Sequence, residues 1–200
     1  MDEARQSSES AETDRDVVLM ARVAEGDEAA FAELVERHQH AVLGTVAKML
    51  GDPTEAEDVA QKVFLRLWKS APRYKPSAKF TTYLFTITRN LVFNESRRRS
   101  RHPSVSLDER EENGARHANP APEARPDEEL LNRELARAID AAIASLPEKQ
   151  RLAVVLRRYQ ETPYEEIAEI LGTSVSSVKS LLFRARDSLR HTLARYLDAD

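Results

Sequence analysis

The chain has 200 residues, of which 41% are apolar and 32% charged, and its net charge is −4. This composition suits a helix-rich globular protein of one or two domains with polar extensions. The absence of cysteine excludes disulfides, thiolate metal sites and cysteine nucleophiles. The acidic amino terminus lacks the apolar core of a secretory signal, and no apolar run approaches the roughly 18 residues of a membrane span. We therefore expect a cytoplasmic protein.

Charge is segregated along the chain. Residues 16–58 contain ten acids against three bases, whereas residues 61–101 contain eleven bases against one acid. Residues 103–134 are acidic again, and residues 179–195 carry five bases against one acid. Two basic islands between acidic stretches predict two separate contacts with a polyanion, which the net charge conceals.

The first elements follow from local signals. Residues 1–15 contain almost nothing that a core could bury, so we expect a disordered tail. Apolar side chains at helical spacing predict a helix over residues 28–50, which Gly51 ends. Residues 52–55 (DPTE) have the pattern of a helix start, with an N-cap aspartate, a proline at the first position and a capping-box acid.

The helix predicted over residues 55–68 has two faces that both carry apolar groups. One is an ordinary apolar stripe that suits a core. The other side carries a mixed stripe of polar and large apolar residues: Asp58, Gln61, Leu65 and Trp68. A surface for another protein has this composition. A central helix that is packed on both sides within its own bundle would have the same composition. The stripe alone does not distinguish a docking surface from such a helix.

A third helix is predicted over residues 80–99, with Leu84, Ile87, Thr88 and Leu91 facing inward. Its other face carries aromatic, amide and basic groups: Tyr83, Thr86, Asn90, Phe93 and Arg97. The helix ends in the arginine run 97–99. Rings and amides beside bases suit unstacked nucleobases. The aromatic rings would equally suit packing against neighbouring helices, and arginine runs also flank linkers.

Residues 103–129 differ from the rest of the chain. They are rich in proline and acids and nearly devoid of apolar side chains, which predicts a flexible linker. A second module is predicted over residues 130–197, with helix starts at residues 145–148 and 162–165, the latter as a capping box. No segment alternates as a strand would. We therefore predict an all-α chain with a tail (1–15), a first domain (16–102), the linker and the second domain.

Residues 163–190 have the pattern of a helix-turn-helix. A short helix is followed by Gly172, and Thr173 or Ser174 caps a longer helix. The outer face of that helix carries hydroxyls and bases, as in a helix that enters the major groove: Ser176, Ser177, Lys179, Ser180 and Arg184. Arg186 could reach phosphates. A structural helical hairpin is the alternative, and the basic outer face favours DNA binding.

Signals for catalysis are missing. The five histidines have no metal-ligand spacing, and there is no glycine-rich phosphate loop or nucleophile elbow. We therefore expect no catalytic residues, no metal, no cofactor and no enzymatic activity.

The chain resembles extracytoplasmic-function sigma factors, the compact two-domain branch of the sigma-70 family of bacterial transcription initiation factors. Four blocks carry the resemblance, in order: GDPTEAEDVAQKVFLRLW, LFTITRNLVFNESRRR, LPEKQRLAVVLRRY and YEEIAEILGTSVSSVKSLLFRAR. It implies a sigma-2-like helical bundle over residues 16–102 and a sigma-4-like helix-turn-helix over residues 130–197. The flexible acidic linker between them would thread the nucleic-acid channel of the polymerase.

The resemblance implies three sets of contacts. The stripe Asp58, Gln61, Leu65 and Trp68 would bind the clamp helices of the polymerase largest subunit. The −10 promoter element would be met and held open by Lys79, Tyr83, Thr86, Arg89, Asn90, Phe93, Arg97 and Arg98. The −35 element would be read by Ser174, Ser176, Ser177, Lys179, Ser180, Arg184 and Arg186. An anti-sigma factor is a further partner that the family allows, and the free protein is expected to be monomeric.

Two positions depart from the family pattern. Tyr83 stands where tryptophan is usual, and Leu181 stands where arginine is common. We expect the loss of that cation to change contacts with the −35 element.

A size comparison bears on the two DNA contacts. Promoter elements about two helical turns apart are separated by roughly 70 Å, whereas a free coil of the linker's length spans about 30 Å. The free protein should therefore bind promoters weakly.

A conventional helix-turn-helix regulator remains the competing interpretation. It would bind closed duplex tightly without polymerase. A helical adaptor without a DNA role fits the two basic islands poorly.

Overall fold

The computed structural model describes residues 15–76, 78–101 and 126–197, and all regular structure in these ranges is helical. This confirms the predicted all-α class. The α-helices in chain order are α1 (residues 15–24), α2 (Glu28–Leu50), α3 (Pro53–Ser70), α4 (Phe80–Arg101), α5 (Pro126–Ser145), α6 (Glu148–Tyr159), α7 (Tyr164–Leu171), α8 (Val175–Thr192) and α9 (Ala194–Leu197), and a 3-10 turn (Ala71–Arg73) follows α3. Within the described ranges, no helix is long and apolar enough to cross a membrane.

The first long helices begin and end at local signals. Asp27 caps α2 by accepting a hydrogen bond from the Ala30 amide at 3.0 Å. Gly51 ends α2 with φ of 70°, a left-handed conformation that glycine adopts without a Cβ penalty. Asp52 then caps α3 by accepting from the Glu55 amide at 3.1 Å, as predicted.

The side chain of Glu55 does not close the predicted capping box. Its carboxylate instead accepts hydrogen bonds from the guanidinium of Arg99, which also donates to the Leu50 carbonyl at 2.9 Å. Arg99 thus joins the end of α4 to the start of α3 and the end of α2. The capping-box prediction was wrong for this acid because a cation from a distant helix forms the stronger, charge-assisted bond.

A buried carboxylate anchors α1. Asp16 is 3% exposed, and its two oxygens contact Arg37 Nε and His38 Nε2 of α2, each at 2.9 Å. A buried acid requires such partners. Arg15, predicted to close the disordered tail, is already helical and pairs with Glu33. The remainder of that predicted tail, residues 1–14, lies outside the described residues.

Two helices of the second module begin where the sequence predicted, at Glu148 and Tyr164, but without side-chain caps. α6 and α7 follow Pro147 and Pro163, and neither start has a side-chain cap. The Ser145 hydroxyl donates back to the Ala142 carbonyl at 2.7 Å, and that of Thr162 donates to a carbonyl two residues earlier. The proline before each helix holds the backbone extended. The hydroxyls of Ser145 and Thr162 therefore donate to nearby backbone carbonyls and do not accept from the first amides of the helix.

The helix-turn-helix forms as predicted. α7 ends at Gly172, whose φ is 63°. Ser174 then caps α8 by accepting from the Ser177 amide at 3.2 Å. Val178 and Ala185 of α8 are fully buried. The turn and the buried seam fix which face of α8 is presented to solvent.

The two modules pack directly on each other. One apolar cluster extends through both of them, and polar bonds cross the junction: Lys48 pairs with Asp140 at 2.8 Å, and Arg151 donates to the Met49 carbonyl at 2.7 Å. α5 begins at Pro126, four residues before the predicted start of the second domain. Residues 103–125 of the predicted linker, and residue 102 before them, lie outside the described residues.

Candidate functional site

The predicted docking stripe on α3 lies at the surface. Asp58, Gln61 and Leu65 are exposed, and 56% of Leu65 is accessible. Trp68 is half-buried because its ring packs edge-on against Phe31 of α2, with 5.0 Å between ring centroids. The opposite face of α3 is buried in the module. α3 is therefore covered on one side only, and the stripe presents a leucine and part of a tryptophan to solvent.

The ring of Tyr83 on α4 is held by its neighbours. Its hydroxyl donates to Ser70 Oγ at 2.7 Å, and its ring lies 5.1 Å from that of Tyr74. Phe93 is also half-buried against the core. The two aromatic groups predicted to meet unpaired bases therefore pack partly against their own module, and only their remaining edges face outward.

Among the uncharged polar groups of the same face, Asn90 is the most open. Asn90 is exposed, and its Oδ1 accepts two hydrogen bonds from the Arg89 guanidinium, at 2.6 Å and 3.2 Å. Thr86 is half-buried and donates to the Thr82 carbonyl at 2.8 Å. Because the Asn90 carbonyl oxygen accepts both bonds, its amide nitrogen keeps two donor hydrogens at an exposed position.

The end of α4 is a basic surface. Arg97 and Arg98 are exposed. Arg98 pairs with Glu95 one turn earlier, and its hydrogen bond holds the pKa of that carboxyl below the ordinary value, against the opposing effect of burial. Glu95 offsets Arg98 and Glu55 offsets Arg99, whereas Arg97 and Arg101 are exposed, so the surface keeps a positive potential that suits a phosphate backbone.

Two of the predicted −10 residues contact the second module. Lys79 Nζ lies 3.0 Å from Glu166 Oε1 of α7. Arg89 donates through Nη1 to the carbonyl of Ile170 near the end of α7. The structure thus places α7 along the side of α4, a contact between the modules that the sequence did not indicate.

The predicted −35 residues are brought together on the outer face of α8. Ser176, Lys179, Ser180 and Arg184 are exposed and line one open concavity. Arg186 is exposed as well, whereas Ser177 is half-buried. The hydroxyls of Ser174 and Ser177 lie 3.0 Å apart, and Ser174 also accepts the capping bond. These two serines therefore fix the start of α8. In the next turn Lys179 is exposed, whereas the Ser180 hydroxyl donates to the Ser176 carbonyl at 3.1 Å.

The sequence reasoning missed Phe183. It is 73% exposed and lies in the same concavity as Lys179 and Arg184. Its spacing of three residues from Ser180 and four from Lys179 places it on that face and was the available signal. A large ring among bases on an outer helix face fits apolar contact with a thymine methyl group.

Leu181 lies on a different side of α8 from the serines and Lys179. It is half-buried and packs against the hydrophobic cluster. A leucine at this position contributes to the core. The expectation that it alters −35 contacts therefore rests on the resemblance alone.

Comparison with known proteins matches both modules to one family. Residues 34–102 match the family model of sigma-70 region 2, and residues 136–189 match that of sigma-70 region 4. The RNA polymerase sigma-H factor of Pseudomonas aeruginosa is 32% identical over 183 residues, which cover 90% of this chain and 94% of that protein. The ECF RNA polymerase sigma-E factor of Escherichia coli K12 is 33% identical over 176 residues, which cover 87% and 92%.

A solved structure extends the similarity to the fold. CnrH in complex with the cytosolic domain of CnrY superposes with a TM-score of 0.64 and 27% identity, covering 93% of this chain and 99% of that one. Identity above 30% along nearly the whole length of its relatives establishes the family. The chain belongs to the extracytoplasmic-function branch of the sigma-70 family.

Proposed function

We propose that this protein is an initiation subunit that binds the core of bacterial RNA polymerase, directs it to specific promoters and helps to melt the −10 region. The observation that carries the proposal is the presence of both sigma-70 regions on one chain, which is similar to a sigma factor over 90% of its length. The role is one of binding, without catalysis. It is exercised in the cytoplasm, where polymerase and DNA are found.

The polymerase contact is assigned to the stripe on α3. Leu65 and Trp68 supply apolar surface, and Asp58 and Gln61 supply polar groups that fix the register of a partner helix. The exposure of Leu65 supports this assignment, because a leucine that is 56% accessible gains free energy when a partner covers it.

The −10 contact is assigned to α4. The exposed bases Arg97 and Arg98 would neutralise phosphates, and Asn90 would donate to an unpaired base edge. The tight packing of Tyr83 against Ser70 and Tyr74 supports a role as a fixed wall beside a captured base. Phe93 and Thr86 would line the same surface.

The −35 contact is assigned to α8. Lys179 and Arg184 would bind guanine edges or phosphates, and the serine hydroxyls would contact either strand. Phe183 adds an apolar contact to this set, since it is the most exposed large apolar residue among those that the structure describes.

A regulatory protein partner is also proposed. The structural relative CnrH was solved with the cytosolic domain of CnrY bound. We expect that an anti-sigma factor binds this chain and competes with the polymerase for it. The free protein is expected to be a monomer.

Reconstituted transcription tests the proposed function. The purified protein is mixed with core polymerase and a library of genomic fragments, and transcript start sites are mapped. We expect starts at a shared promoter pattern that core polymerase alone does not produce. The absence of such starts, together with tight binding of the free protein to closed duplex, would establish a conventional helix-turn-helix regulator instead.

A further inference from the structure

The Tyr83 ring is held by two residues that flank one short turn. Ser70 is the last residue of α3, and the 3-10 turn Ala71–Arg73 follows it directly. Tyr74 ends that turn, and its amide donates to the Ala71 carbonyl at 3.0 Å. Because Ala71 is buried, the turn is anchored in the core, and it brings both flanking residues into contact with Tyr83.

The hydrogen bond between Ser70 and Tyr83 has a fixed direction. Ser70 Oγ lies 2.8 Å from the Arg66 carbonyl oxygen and 3.1 Å from that of Leu67, and a carbonyl oxygen can only accept. The single hydroxyl hydrogen of Ser70 is therefore directed to the backbone of α3. Its lone pairs accept from the Tyr83 hydroxyl at 2.7 Å. The Tyr83 hydroxyl is thus anchored, through Ser70, to the end of a helix.

Tyr74 restricts the same ring from its side. The ring centroids of Tyr74 and Tyr83 are 5.1 Å apart with 55° between the ring planes, a tilted contact that aromatic pairs favour. Tyr74 also lies edge-on to the buried ring of Phe80, at 6.4 Å. A tyrosine ring turns about two side-chain bonds. A hydroxyl bond at its tip and a ring contact beside it restrict both rotations.

A ring that is already ordered suits stacking against an unpaired base. Tyr83 is half-buried, so part of its ring is accessible. A side chain that becomes ordered only on binding loses conformational entropy, which weakens the complex. The hydroxyl bond and the ring contact order Tyr83 before a base arrives, so stacking does not carry that loss. Tyr83 also departs from the tryptophan that is usual at this position, and tryptophan lacks the hydroxyl that this anchor uses.

We propose that Ser70 is a positioning residue for the capture of an unpaired base, because its hydroxyl holds the Tyr83 ring in the orientation that stacks. The proposal rests on the proposed function insofar as it takes α4 as the surface that meets melted DNA. The bond between Ser70 and Tyr83 then contributes to the binding of bases and leaves the binding of phosphates unchanged. A bond that served only to join α3 to α4 would contribute to folding alone.

Four single variants isolate the hydroxyl pair. Ser70→Ala removes the acceptor, Tyr83→Phe removes the donor and keeps the ring, and Ser70→Thr keeps a hydroxyl. Ser145→Ala is the matched control, since Ser145 is the last residue of α5 and, like Ser70, donates to a carbonyl three residues earlier. Should Ser70→Ala fail to give a cooperative melt, Tyr83→Phe, which leaves the bonds of Ser70 to α3 intact, replaces it.

The measurement is fluorescence anisotropy at low salt with two fluorescein-labelled 12-mers, one of thymidylate and one of abasic sites with the same phosphates. The ratio of the two affinities reports the contribution of the bases, and we expect the parent to prefer thymidylate. Ser70→Ala and Tyr83→Phe should each lower this ratio by about three- to tenfold, as the loss of one hydrogen bond predicts. Their affinity for the abasic strand should not change. The double variant should lose no more than either single variant, because both changes remove the same bond. Ser70→Thr and Ser145→Ala should keep the ratio of the parent.

Several results would overturn the proposal. Equal binding of both strands by the parent would show that no ring stacks on a base. An unchanged ratio in Ser70→Ala, or losses that add in the double variant, would show that the serine does not act through Tyr83. Equal weakening of both strands would reduce its role to folding. The assay contains neither polymerase nor a promoter, so a failure of reconstituted transcription would refute the proposed function and leave the result on Ser70 separate.

Discussion

Leu65→Ala provides a quantitative test of the docking stripe. Complete burial of a leucine side chain contributes about 1.5–3 kcal/mol, and Leu65 is 56% exposed in the free protein. About half of that free energy, roughly 1–1.5 kcal/mol, therefore remains to be gained when a partner covers the side chain. Truncation should weaken binding to core polymerase by about five- to tenfold and lower the free energy of unfolding by only about 1 kcal/mol.

Two controls separate docking from folding. Val18→Ala truncates another apolar residue of similar exposure, 59%, on α1, and should leave polymerase affinity unchanged. Leu67→Ala truncates a leucine with no exposure, two residues along the same helix. It should lower the free energy of unfolding by about 2–5 kcal/mol, because it opens a cavity in the core.

Affinity is measured by titrating the labelled protein with core polymerase, and stability by urea denaturation followed by circular dichroism. The docking assignment is refuted if Leu65→Ala binds as tightly as Val18→Ala. It is equally refuted if Leu65→Ala lowers stability as much as Leu67→Ala, because Leu65 would then be a core residue.

Three further predictions concern other parts of the molecule. Phe183→Ala should weaken binding of the polymerase complex to duplex −35 DNA by up to about tenfold, with an unchanged melt because the ring is 73% exposed; unchanged affinity in an anisotropy titration would exclude the ring from the interface. Lys179→Ala should reduce the slope of the log of the DNA-binding constant against log salt concentration by about 0.9, because its ammonium contacts a phosphate. An unchanged slope would show that Lys179 makes no phosphate contact. The Tyr74 hydroxyl is buried and has no hydrogen-bond partner among the described residues, so Tyr74→Phe should raise stability by about 1 kcal/mol at pH 7. Burial also raises the pKa of Tyr74 from its ordinary value of 10.0. The parent should therefore lose more stability than Tyr74→Phe as the pH rises through that raised value. Urea denaturation at neutral and alkaline pH measures this difference, and parallel curves would contradict the prediction.

Local signals predicted much of this fold. The N-caps Asp52 and Ser174 and the helix ends at Gly51 and Gly172 are all formed as predicted. Each cap or helix end depends on a hydrogen bond or a backbone angle within about four residues, so the neighbouring sequence is sufficient to predict it. The capping box predicted at residues 162–165 does not form, because Pro163 takes the N-cap position of α7 and has no side-chain acceptor.

The candidate site was predictable where exposure follows from helical spacing. The outer face of α8 and the stripe on α3 were read from spacings of three and four, and the residues named there mostly lie at the surface. The same spacing would have placed Phe183 on the outer face of α8. The packing of Tyr83 could not be predicted in this way, because its hydroxyl bonds to Ser70 at the end of α3, thirteen residues away.

By itself the sequence determined the helices, the turn of the helix-turn-helix and the faces that carry bases, aromatic rings and the docking stripe. Those properties depend on side-chain periodicity and on bonds between near neighbours. Only the tertiary structure decided that Glu55 pairs with Arg99 and that Glu166 covers Lys79. The partners in such pairs lie on different helices, and their meeting depends on how all the apolar faces pack together, which no local pattern encodes.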